Sequence, residues 1–142
     1  MAFSGDIDSA LVAKLLADTG PGGLMTMTTD GIWWDQSSLG KKKFVVVKLM
    51  AHSVTEMYHG EAFEEPVYLV KAVASGDSGM NVQAAGARID ALLNGGSMTV
   101  TGYGTVYLTR DEYVHYAEGD SSNPANRWQH YGGMYSVTAA KA

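Results

Sequence analysis

The chain of 142 residues carries a net charge of −5, is 46% hydrophobic and 18% charged, and contains no cysteine. That length suits one domain with a real core, and the composition is globular rather than that of a disordered tail. The acidic balance argues against a dedicated nucleic-acid binder, and without cysteine neither disulfides nor thiolate metal sites are available.

Asp6 and Asp8 occupy the place where a secretory leader would be basic and then apolar, and no apolar run approaches the ~20 residues of a membrane helix. A soluble product of the cell interior is expected. Residues 6–18 read as a first helix: Ile7, Ala10, Leu11 and Leu15 form its apolar stripe, and Gly20-Pro21 stops it. Leu24 to Gln36 reads as extended, interrupted by the turn dipeptide Asp30-Gly31. Lys41-Lys42-Lys43 lead into Phe44 to Ala51, apolar on both faces apart from Lys48, as a central strand would be. His52 to Glu64 is polar and without period, a loop or a projecting hairpin tip.

The stretch Glu65 to Gly96 organises the rest. Val67 to Ala74 is an unbroken strand-forming run. Gly76 and Gly79 then loosen the backbone, and Asp77 or Ser78 offers a cap to a helix over about 79–94. Val82, Ala85, Gly86, Ile89, Leu92 and Leu93 form its stripe, and Gly95 stands where a helix end favours positive φ. From Ser97 to Thr109 residues alternate: Met98, Val100, Val106 and Leu108 fall on one side, Tyr103 and Tyr107 among those on the other. Gly102 and Gly104 suggest a bulge or bend. Tyr113 to Glu118 is a further strand, Gly119 to Asn126 a turn-rich segment, and Trp128 to Ala139 a last strand broken at Gly132-Gly133. The pattern predicts one α+β domain over residues 1–142, with a mixed, mostly antiparallel sheet packed by two helices.

The search for chemistry returns little. Gly76 to Gly79 spells GDSG, the setting of a protease nucleophile, with His52 upstream. No third glycine follows, the chain is short for two barrels, and Asp77 and Ser78 have ordinary capping duties. A small hydrolase using Ser78 and His52 is the alternative from a different class. His52, His59, His115 and His130 lack metal-ligand spacing and read as surface residues. Neither phosphate-binding glycine pattern is present, so no cofactor is implied. Tyr103, Tyr107 and Tyr113 could form a polar aromatic face of a ligand-binding module. Adjacent Trp33 and Trp34, if on a strand, face opposite sides, leaving one exposed or covered by a partner.

Four segments in order carry a resemblance: YLVKAV (Tyr68 to Val73), RIDALLNG (Arg88 to Gly95), RDEYVHYAEGD (Arg110 to Asp120) and HYGGMYSVTA (His130 to Ala139). The chain resembles the tail-completion, or tail-terminator, proteins of long-tailed bacteriophages. The resemblance implies a protomer of a ring, usually a hexamer, that caps the tail tube, stops its polymerisation and joins it to head-side connector or neck proteins. DNA would pass through the lumen without specific binding, and no membrane, cofactor or catalytic residue is needed. The place implied is the head-proximal end of the virion tail, after assembly in the host cytoplasm. A head–tail connector, neck or minor tail protein is the rival within the same class. Candidate interface residues are Trp33, Trp34, Met57, Tyr58, Phe63, Arg127 and Trp128.

Overall fold

The computed structural model describes residues 4–35, 41–57, 60–76, 81–119 and 127–141. Its elements in chain order are α1 (Ser4–Leu16), α2 (Leu24–Met27), β1 (Ile32–Trp34), β2 (Lys43–Met57), β3 (Gly60–Ser75), α3 (Val82–Leu93), β4 (Tyr103–Gly119) and β5 (Arg127–Lys141). The strands make a five-stranded sheet in the order β1-β2-β3-β5-β4. β1 runs parallel to β2, and every other pairing is antiparallel. The architecture is α+β, with the mixed sheet that the strand-rich pattern predicts.

Side-chain alternation assigns the two faces. Val45 and Val47 of β2, Tyr68, Val70 and Ala72 of β3, and Tyr135, Val137 and Ala139 of β5 join the helices in the main core. Against them α1 lays Ile7, Leu11 and Leu15, each fully buried and one turn apart. Burying each such side chain stabilises by roughly 1.5–3 kcal/mol. On the opposite, helix-free face of the sheet, Phe44, Val46 and Val73 form a small cluster with Trp33 and Trp128.

Several expectations change. α1 ends at Leu16 rather than 18, because the Asp18 carboxylate turns away to accept a hydrogen bond from Leu24 N (2.7 Å) and to pair with Arg88. The same bond starts a single helical turn at Leu24–Met27, within a segment expected to be extended, so three helices stand where two were expected. β2 is an interior strand, but β3 is the central one, and both run into a long hairpin that takes in His52 to Glu64. α3 is capped by Asn81, whose Oδ1 accepts from Ala84 N at 3.1 Å; Asp77 and Ser78 lie outside the described residues. Gly95 has φ +75°, as a helix end requires.

Tyr103 is buried with Val106 and Leu108, not exposed with Tyr107, because the pairing register shifts between Tyr103 and Thr105. Tyr113 to Glu118 is no separate strand: β4 continues through a second shift between Arg110 and Glu112. Gly132-Gly133 does not break β5. A Cβ at Gly132 would sit 2.1 Å from Val70 O, so glycine is there to let β5 approach β3.

Candidate assembly surfaces

Each border of the sheet is covered over part of its length. β1 pairs with β2 at Val45 to Val47, and Asp35 N adds a bond to Val47 O. Among the described residues, β2 from Lys48 onward has a strand neighbour on its β3 side alone. On the far border, the segment after α3 lies along the first half of β4. Met98 N bonds to Val106 O, Gly95 N to Leu108 O, Leu108 N to Gly96 O, and Arg110 N to Asn94 Oδ1. Beyond Arg110, β4 is paired through its β5 side.

The helix-free face carries a concavity of about 340 Å³ lined by Phe44, Val46, Lys71, Val73, Trp128 and His130, with Asp35 and Glu118 at its margin. Trp33 stays in this cluster because its indole N–H donates to Asp30 O (2.8 Å) and Lys41 sits over its ring. His130 is 6% exposed and stacks on Tyr116 with ring centroids 4.2 Å apart. One ring nitrogen abuts Glu118, yet neither makes a well-aligned hydrogen bond among the described residues. Burial, then the nearby Lys71 ammonium, hold its pKa below the usual 6.5, and Glu118 opposes them. The sequence placed this histidine on the surface; it is buried.

The helix-bearing face offers a groove of about 310 Å³ between α3 and the second half of β4, walled by Gln83, Ala87, Tyr113, His115 and Tyr131. Asp90 closes one end of it. Its carboxylate accepts from Arg110 Nη1 (2.8 Å) and from the Tyr135 hydroxyl (3.0 Å), and the Arg110 guanidinium lies 3.8 Å from the Tyr113 ring centre. The bond to Asp90 raises the Arg110 pKa, and burial followed by the Asp90 charge raises that of Tyr135. Deeper in this layer the Tyr68 hydroxyl donates to Asp8 and the Tyr103 hydroxyl to Glu64, tying α1 and β4 to the base of the β2–β3 hairpin.

The expected interface residues are brought together only in part. Trp33 and Trp128 meet in the cluster on the helix-free face, and Arg127 is exposed beside them at the start of β5. Trp34 points to the other layer, 40% exposed, beside Leu16 and Val12 of α1 and edge-on to Tyr68. Phe63 is exposed on the hairpin, far along the chain from either group. Met57 closes β2, whereas Tyr58 lies outside the described residues.

Of the hydrolase pair, His52 is exposed on β2 and Ser78 lies outside the described residues. Tyr107 and Tyr113 are exposed and Tyr103 is buried, so the three do not share one aromatic face. Among the described residues no three His, Asp or Glu side chains gather as metal ligands, and no helix is long and apolar enough to cross a membrane. The Asp90–Arg110 ion pair and the burial of His130 were missed. For Asp90 and Arg110 the signal was faint: opposite charges that meet only once α3 packs on the sheet.

No family model matches the chain, and neither does any curated protein. Solved structures do share its fold. A chain from the virion of a native gene transfer agent particle superposes with a TM-score of 0.63 at 14% identity, covering 98% of both chains. A second solved chain gives a TM-score of 0.60 at 15% identity, over 100% of this chain and 98% of the other. Similarity at these identities establishes a common fold from end to end.

Proposed function

We propose that this chain is a structural protein of a virion: a tail terminator that closes into a ring, caps the tail tube and joins it to the head-side connector. The observation carrying this reading is the end-to-end similarity of fold to a chain of a virion particle, covering 98% of each. The ordered segments that resemble tail-completion proteins support the narrower role. So do the two unlike borders of the sheet, partly uncovered among the described residues, because a ring needs two different complementary patches on each protomer. An acidic balance suits a channel that lets DNA move without holding it. Both the cap and its contacts with tube and connector work through shape, without turnover.

Particles assembled without this protein, viewed by electron microscopy, test the proposal. Tails of irregular length that fail to join capsids are expected, and labelled protein returned in trans should sit at the head-proximal end. Normal tails joined to capsids would overturn the terminator role, and label at another position would transfer the protein to the neck or the minor tail components.

A further inference from the structure

The two borders of the sheet are left open in a related way. β2 and β5 run in one direction, β3 and β4 in the other. β1 covers β2 near its start, and residues 94–98 cover β4 near its start. The halves left uncovered by the described residues, 48–57 and 111–119, therefore lie at diagonally opposite corners of the sheet. Charges stand only at their ends, Lys48 and Glu56 on β2 and Asp111, Glu112 and Glu118 on β4, and the middle of each edge lacks the charges with which edge strands are usually guarded. Leu49 to Thr55 reads LMAHSVT, and Tyr113 to Ala117 reads YVHYA, each free of Lys, Arg, Asp and Glu. On β2, Met50 and Val54 are 47% and 40% exposed; on β4, Tyr113 is 68% exposed.

We propose that these two edges pair with each other between copies of this chain, so that β2 of one protomer adds antiparallel to β4 of the next. The proposal rests on the ring reading above and names the surfaces that close it. The directions fit: protomers related by rotation about a ring axis to which the strands are tilted present an ascending β2 to a descending β4. The offset fits as well. Each cover stops where the neighbour's strand begins, so successive sheets are staggered, as closure of a ring of tilted strands requires. A register with Lys48 facing Glu118 places Ser53 opposite Val114 and Val54 opposite Tyr113, once the irregularity between Leu49 and Ala51 is counted. That gives one opposite-charge pair and one apolar–aromatic pair across the joint, each a stabilising cross-strand combination. The joint is heterologous: the two edges differ, and neither pairs with itself.

The absence of native cysteine makes a direct test available. Ser53→Cys and Val114→Cys are introduced in separate chains, mixed, assembled under native conditions and oxidised. Disulfide dimers are expected in the mixture and not from either variant alone, and the doubly substituted chain should give a covalent ladder ending at the ring's copy number. Lys48→Glu should weaken association about tenfold, and adding Glu118→Lys should restore it. Native-sized oligomers that never cross-link, or that ignore the charge exchange, would overturn the edge pairing while leaving the ring intact. A chain that stays monomeric both in solution and in assembled particles would overturn both.

Discussion

Burial beneath Tyr116, with the Lys71 ammonium close by, disfavours the charged form of His130. Its folded pKa lies below the unfolded value near 6.5, so below that pH the unfolded chain binds the proton more readily. The associated stability is complete above pH 6.5 and is lost as the pH falls toward the folded pKa. We expect the stability measured by urea unfolding to fall between pH 7 and pH 5. His130→Gln should flatten that dependence, and an unchanged slope in the variant would refute the assignment. Asp18 and Asp30 add a separate loss at lower pH. Arg88 pairing for Asp18, and backbone N–H bonds from Lys42 and Lys43 for Asp30, hold both carboxyls below the usual range. None of this was visible in sequence, where four histidines without ligand spacing look alike. What distinguishes His130 is its position opposite Tyr116 in the β4–β5 register.

At the scale of elements, the helices were legible because their stripes repeat at 3.6 residues, and the stripe of α3 predicted that Ala85, Gly86, Ile89 and Leu93 are buried. Boundaries were less legible, since they depend on which side chain reaches an end first. Asn81 caps α3 and Asp18 starts α2, and each position is fixed by packing around it. Asp90 fastens α3 to the sheet through Arg110 and Tyr135, whose phenol is 1% exposed as a residue. Asp90→Ala strands that phenol, and we expect chemical denaturation to show a loss on the order of 2 kcal/mol. In a Tyr135→Phe background the same substitution should cost less, because no buried hydroxyl is left unpaired. Equal costs in both backgrounds would mean that the hydroxyl contributes nothing.

For the whole molecule, the β2–β3 hairpin is the part that the core does not explain. Ala51 to Val54 are all exposed, and Phe63 remains 38% exposed on the paired strand. Replacing Tyr58 and Phe63 by Ser should leave the stability of the protomer within about 0.5 kcal/mol. It should weaken self-association by about tenfold, as loss of an aromatic interface anchor does. Sedimentation of the variant beside the parent chain checks this, and equal association would remove Tyr58 and Phe63 from the interface.

The amino-acid sequence by itself determined the α+β class, two of the three helices with their apolar stripes, and part of every long strand. Those features follow from local periodicity, which each segment carries without reference to the others. Only the tertiary structure decided that β1 lies parallel to β2, that Tyr103 turns inward, that His130 is buried and that the edges left uncovered by the described residues stand at opposite corners. The physical reason is the same in each case. Strand order, register shifts and burial are set by pairings between segments far apart in the chain, and a period-2 pattern reads the same whichever neighbour it meets.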